Sequence, residues 1–405
     1  METEKYTTKW YSLASIWFGG IVSVPALLIG STLIASLTFY NALFVGLIGF
    51  CFVVFFMSLL SIVAVEKRMT TVSLASSSFG ELGAKIIVGL VIGLSTLGWF
   101  GIQTNIAGVS FSKIIFEING TEIPVWISSV FWGVIMVTTS VFGFKYLKWL
   151  NYLAVPGIIL LLAYGLVITF QTHSFQDILN FVPENNMSIF RAIGFTIGFI
   201  SVGGVISPDY NRFAATKKDA VLGSIIGVIP SALCLLAIGA IFAITQSTYD
   251  IVEIFSSLGF PFLAMSILIL ATWTSNVMNI YSSGLAFLNL FSLKSDARSK
   301  TTLLVGLVGV IIASIGVLSS FTSFINILTI TITPIAGVMI SDFYISKTFK
   351  ENTEKFNWVG IFSWGLGVLI MLFMSSEIKY VLGIVVAAIA YAIVQKLKKK
   401  SDETN

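Results

Sequence analysis

Two polar clusters interrupt otherwise apolar stretches of this sequence, and they are where its chemistry would lie. The first runs Thr96-Leu97-Gly98-Trp99-Phe100-Gly101-Ile102-Gln103. Thr96, Trp99 and Gln103 are three and four residues apart and so share one helix face. The adjacent glycines lower the surface around the indole. A flat aromatic wall with an amide one turn away suits a planar heterocycle, which stacks on the ring and hydrogen-bonds through its edge. A packing tryptophan with a glutamine bonded between helices would give the same pattern. The second cluster runs from Thr272 to Ser283. At about 100° per residue, Thr272, Ser275, Asn276, Asn279, Ser282 and Ser283 fall within roughly a third of the circumference. A polar stripe of that density faces protein or water, and two amides with several hydroxyls exceed what packing between helices usually needs. Thr274 falls off this stripe on straight-helix geometry, so a role for it requires local bending or a different neighbour.

Glycine and proline mark a second kind of feature. One apolar segment carries Trp17-Phe18-Gly19-Gly20 and continues through Pro25 to Gly30; another carries Gly198-Phe199-Ile200-Ser201-Val202-Gly203-Gly204 and continues to Pro208. Lipid offers no hydrogen-bond partner to a freed backbone group, so a helix is broken in a bilayer only where it lines a protein-walled cavity. Two such segments at matching places are expected to be paired broken helices around a midplane site, as in secondary transporters. The competing use of such glycines is close helix packing.

The acidic and nucleophilic residues exclude other classes. The 19 carboxylates fall almost entirely in loops, tails and span ends, among them Glu66, Glu81, Asp209 and Asp342, and the single histidine, His173, falls in a loop. An intramembrane carboxylate would be the default proton relay; with none mid-span, a coupling cation must be held by hydroxyls and carbonyls, which favours Na⁺ over H⁺. No cluster of His, Asp, Glu or Cys suggests an enzyme, no phosphate-binding loop suggests direct use of ATP, and no charged ring suggests a channel. Cys51 and Cys234 sit in apolar runs without metal-ligand spacing. Asp209 and Arg212, beside Lys217, Lys218 and Asp219, read as loop anchors or inner-gate ion pairs.

Composition sets the elements that must position these residues. The chain has 405 residues, 56% hydrophobic and 10% charged, whereas a soluble domain carries roughly 25% charged residues. The net charge of +4 gives no case for nucleic acid, and no cleavable signal peptide is expected. Apolar runs of about 20 residues predict twelve membrane spans near 11–36, 41–65, 84–115, 123–143, 148–170, 189–207, 220–244, 260–292, 301–318, 321–346, 356–374 and 378–395. With both termini inside, 20 of the 23 Lys and Arg residues fall on the cytoplasmic face, leaving Lys113, Arg191 and Lys379 outside. The basic tail Lys396–Lys400 is topogenic and lipid-facing. Spans 1–5, about 11–170, and 6–10, about 189–346, are then two inverted repeats, with two further helices over 356–395, all in one transmembrane domain.

Four motifs, in order, resemble those of the nucleobase–cation symporters, most of all the purine–cytosine permease branch. They are Trp17-Phe18-Gly19-Gly20, Leu97-Gly98-Trp99-Phe100-Gly101, Ser207-Pro208-Asp209-Tyr210-Asn211-Arg212-Phe213 and Trp273-Thr274-Ser275-Asn276. The resemblance extends from about residue 10 to 395 and implies an all-α, twelve-helix, LeuT-type fold. It implies import of a planar nucleobase, cytosine or purine-like, across the plasma membrane, driven by Na⁺ or H⁺ and without a cofactor. The alternative is another solute on the same fold: a hydroxymethylpyrimidine or other vitamin precursor, a hydantoin, allantoin or an amino acid. By the same resemblance Trp99 is the stacking ring and Gln103 the substrate-binding amide, with Thr96 beside them. Phe199 is the opposing aromatic, with Gly198 and Ser201 near it, while Asn276 is a polar position beside the substrate; Asn279, from the polar stripe, is a further substrate-binding candidate. Thr274 and Ser275 match a sodium-binding hydroxyl pair, completed by carbonyls around Gly19 to Ser23. Thr96 stands where a cytosine permease has Gln, and Ala271 where it has Asn, so the base is left open, as is the oligomeric state.

Overall fold

The computed structural model describes residues 7–142, 147–257, 261–349 and 354–404. Lys5, Lys145 and Lys350 of the expected inner-face set, and the span-end residues Gly143 and Phe260, lie outside the described residues. In chain order the helices are α1 (Trp10–Ile21), α2 (Val24–Ile34), α3 (Phe39–Lys67), α4 (Thr71–Phe79), α5 (Glu81–Ala84), α6 (Leu90–Asn119), α7 (Val125–Phe142) and α8 (Leu147–Thr172). They continue with α9 (Phe175–Leu179), α10 (Ile189–Asn211), α11 (Lys217–Gln246), α12 (Ile251–Ser256), α13 (Pro261–Leu290), α14 (Arg298–Ser314), α15 (Phe321–Ile340), α16 (Trp358–Phe373) and α17 (Lys379–Thr404). Two π-helical turns, Lys85–Gly89 and Ser341–Ser346, extend α6 at its start and α15 at its end.

Helix runs along each of the twelve expected stretches, but the lengths are unequal. Among the described residues seven helices are long and apolar enough to cross a bilayer, or eight if α1 and α2 form one broken span. Val125–Val141, Pro156–Thr172 and α16 are shorter apolar helices. The packing pairs α6 with α13, α3 with α10, α7 with α14, and α11 with both α1 and α2.

The first expected break is present. The chain bends by 62° between α1 and α2, with Ser23 fully extended at φ −151°, ψ 160°. Pro25 stands in the first turn of α2, where its missing N–H removes no helical bond. The last carbonyls of a helix lack partners inside it. Phe18 O is met by the Val22 N–H and Ile21 O by the Ser23 hydroxyl at 3.2 Å.

The second expected break is absent: α10 runs unbroken from Ile189 to Asn211. Pro208 cannot donate to the carbonyl of Gly204, and the Ser207 hydroxyl takes that carbonyl instead at 2.9 Å. The glycines are spent on close packing. A Cβ on Gly198 would stand 2.2 Å from Thr329 Oγ1 and 2.5 Å from Ile325 O, and one on Gly204 would stand 2.5 Å from Phe56.

Candidate binding site

Trp99 of α6 is only 9% exposed and lies inside a box of phenylalanines. Phe199 of α10 stands with its ring centroid 5.9 Å away, and Phe321 and Phe324 of α15 at 6.2 and 5.2 Å. All three meet the indole at steep angles of 64–89°, the edge-to-face geometry that aromatic quadrupoles favour. Gly98 admits this arrangement, because a Cβ there would stand 2.3 Å from Phe324. The structure brings Trp99 and Phe199 together, edge-on rather than face to face, and adds Phe321 and Phe324, which the sequence analysis missed. Those two lie three residues apart on one helix face, a usable signal, but one diluted by 34 phenylalanines in the chain.

One turn beyond Trp99, Gln103 is 3% exposed and its Oε1 accepts a hydrogen bond from the Ser275 hydroxyl of α13. Among the described residues no protein acceptor engages the Gln103 Nε2, so that amide retains two donors. Thr96 is buried and its hydroxyl donates to the carbonyls of Ile92 and Gly93 at 3.0 and 3.2 Å. Its proton is held by its own helix, leaving oxygen lone pairs.

The α13 stripe divides into two uses. Asn276 is fully buried; its Nδ2 donates to Phe100 O at 2.9 Å and Thr104 Oγ1 at 2.8 Å, and its Oδ1 accepts from Asn279 Nδ2 at 3.2 Å. That amide joins α13 to α6, its Nδ2 taken up by acceptors on α6. Asn279 keeps its carbonyl oxygen and is half-buried. Trp273 turns away toward α7, donating to Thr139 Oγ1 at 3.3 Å and packing edge-on against Trp132. Ser283 donates to Gly93 O at 2.8 Å, a second α13–α6 tie.

Thr274 is buried and donates to Ala271 O at 2.9 Å, and Ser275 also reaches Ala271 O at 3.0 Å. α13 runs unbroken through both residues, so no bend brings Thr274 onto the stripe. A hydroxyl whose single proton is already donated, Thr274 to Ala271 O and Ser275 to Gln103 Oε1, keeps lone pairs for a hard cation. Ser23 is 9% exposed at the α1–α2 break, and Gly19 and Gly20 have open space where a Cβ would stand. α2 touches α13, so break and hydroxyl pair are on neighbouring elements. Gly198 and Ser201 lie on the packed part of α10, with Ser201 donating to Gly198 O at 2.8 Å; they set the α10–α15 approach.

Below the box a buried polar knot ties four helices. Trp17 Nε1 donates to Asn211 Oδ1 at 3.1 Å, and Asn211 Nδ2 donates to the hydroxyls of Ser61 and Ser224 at 2.6 and 2.9 Å. Asp209 anchors a loop rather than a ligand: its Oδ1 accepts the Thr71 N–H that opens α4, at 2.8 Å. Arg68 reaches the carbonyls of Arg212 and Ala214, and Thr8 pairs with the same loop through Phe213 O and the Ala215 N–H.

The chain matches, over residues 1–393, the family described as permease for cytosine/purines, uracil, thiamine, allantoin. Among characterised proteins it is 27% identical over 361 residues to the cytosine permease of Escherichia coli K12, covering 88% of this chain and 81% of that protein. It is 24% identical to the hydantoin permease of Microbacterium maritypicum, covering 94% and 84%. Among solved structures, the inward-facing conformation of Mhp1 superposes with a TM-score of 0.85 over 99% of this chain and 94% of that one, at 20% identity. A closed conformation of the same nucleobase-cation-symport-1 family transporter, with bromovinylhydantoin bound, gives 0.79 over 98% and 95%.

Proposed function

We propose that this chain, which belongs to the family of permeases for cytosine/purines, uracil, thiamine and allantoin, is a secondary symporter that carries a planar heterocycle into the cell. The observation behind this reading is the Trp99 box with the Gln103 amide beside it, whose Nε2 donors meet no protein acceptor among the described residues. Trp99 and Phe199, which meet edge-on at 76° here, must part to sandwich the ring; Gln103 donates to an edge acceptor, and Thr96 and Asn279 offer the remaining oxygens. Gly198, Ser201 and Asn276 hold the walls in place. Phe199, Phe321 and Phe324 all press edge-on against the indole, so a stacked ring must displace at least one of them. Cytosine, purine-like bases and hydantoins are the first candidates, because the relatives' names give cytosine and hydantoin.

Coupling is assigned to Na⁺, held between the α1–α2 break, through carbonyls from Gly19 to Ser23, and the Thr274–Ser275 hydroxyls. Broken helices supply carbonyl oxygens to cations in this way. The architecture is taken as twelve spans in a 5+5 inverted repeat plus two helices, in the plasma membrane with both termini cytoplasmic. Helix pairing supports the repeat. If α1–α2 is span 1 and α10 span 6, then span 1 on span 7 (α11) and span 6 on span 2 (α3) are one contact exchanged between halves.

The reading is tested by displacement binding to the purified protein with cytosine, uracil, adenine, hydantoin, allantoin and thiamine. Saturable binding of at least one planar ring, weakened about 5- to 150-fold in Trp99→Leu, is the expected result. Failure of every ring to bind a monodisperse protein overturns it.

A further inference from the structure

A carboxylate that the sequence places at a span end is fully buried. Asp342 lies in the first positions of the π-helical turn Ser341–Ser346 that follows α15 and has no solvent exposure. Its Oδ2 accepts the hydroxyls of Ser77 and Ser78, both on α4, at 2.7 and 2.9 Å, and its Oδ1 accepts Thr348 Oγ1 at 2.7 Å. The Thr348 N–H returns to Asp342 O at 3.1 Å, and the hydroxyl of buried Tyr391 of α17 is within hydrogen-bond reach of the same carboxylate and of Thr348. Among the described residues no Lys or Arg pairs with it: Lys347 is exposed, and Lys67 lies over the Phe349 ring at 4.7 Å. Three donated hydroxyl protons suit the ionised form, and an ionised carboxylate buried in a protein is paired or coordinates a metal. π-helical turns recur at functional sites.

We propose that Asp342, Ser77, Ser78 and Thr348 form a binding site for a monovalent alkali cation, separate from the pair at Thr274 and Ser275. The ligands are all hard oxygens, as alkali and alkaline-earth ions require. One carboxylate balances one positive charge, so a monovalent ion leaves the buried site neutral. The cation joins α4 to the end of α15. Asp209 holds the other end of α4 through Thr71, so occupancy of this site fixes α4 between α10 and α15.

The test is equilibrium binding of radioactive sodium, and of rubidium in place of potassium, to the purified full chain. It is run in a Thr274→Ala/Ser275→Ala background, which leaves every Asp342 contact intact. One bound cation per chain is expected in that background, abolished by adding Asp342→Asn. Adding Ser77→Ala/Ser78→Ala instead should weaken binding at least tenfold, and it serves as the readout if the Asp342 variant does not fold. Binding that survives both additions, or a background that binds neither cation, overturns the proposal. Whichever of sodium and rubidium binds tighter identifies the ion. A wild type that binds no more cation than the background refutes only the Thr274–Ser275 assignment, so the two sites fail separately.

Discussion

Replacing Trp99 separates stacking from packing. A base stacked on an aromatic side chain is worth about 1–3 kcal/mol, and each 1.4 kcal/mol is tenfold in affinity, so losing the ring raises Kd by about 5- to 150-fold. The structure adds a second effect. Trp99 makes three edge-to-face contacts, with Phe199, Phe321 and Phe324, each worth about 0.5–1.5 kcal/mol beyond area. Truncation of a buried tryptophan to alanine costs about 3–5 kcal/mol of stability. Trp99→Ala therefore confounds the two, and Trp99→Leu, which keeps apolar bulk without a π face, is the cleaner change. Trp99→Phe should fall between Leu and wild type. The assay is equilibrium displacement of a bound heterocycle, with thermal stability measured on the same preparations. If Trp99→Leu binds with wild-type affinity, the ring does not stack on Trp99 and the proposed site is misplaced.

Other changes have distinct expected outcomes. Gly198→Ala and Gly203→Ala gain the same helix propensity, but only the first drives a Cβ into Thr329 and Ile325, while the second meets nothing nearer than 3.6 Å. Gly198→Ala should therefore be the less stable by about 1–3 kcal/mol in thermal unfolding, and equal stability would contradict the α10–α15 approach. Asn276→Ala removes donors to Phe100 O and Thr104 and should cost about 1–3 kcal/mol of stability, with a smaller effect on ligand affinity than Trp99→Leu. Thr274→Ala/Ser275→Ala should lower substrate affinity in Na⁺ and leave it unchanged in Na⁺-free buffer, because binding coupling is reciprocal. An equal loss in both buffers would make the pair a packing element.

Local signals in the sequence were enough for some features and silent on others. Apolar runs located the helices because each must satisfy its own backbone in lipid. Gly19-Gly20 with Pro25 marked a real break, since nothing packed nearby compensates for it. The similar signal in α10 misled because its compensation is partly remote. Ser207 rescues the Gly204 carbonyl locally, but Thr329 and Phe56 fill the glycine notches from far along the chain. Spacing placed Trp99 with Gln103, but the Gln103–Ser275 bond joins residues 172 apart. The burial of Asp342 depends on Ser77 and Ser78, 265 and 264 residues away, and no window of sequence contains that.

The central claim, cation-driven import of a planar heterocycle, is tested most directly by uptake into proteoliposomes holding the purified protein. A labelled ring from the binding panel is supplied outside, with an inward Na⁺ gradient, an inward proton gradient, or neither. Concentrative uptake is expected under the Na⁺ gradient alone, abolished in Thr274→Ala/Ser275→Ala. Uptake that ignores Na⁺ and follows the proton gradient, or that never exceeds equilibration under any gradient, would contradict it.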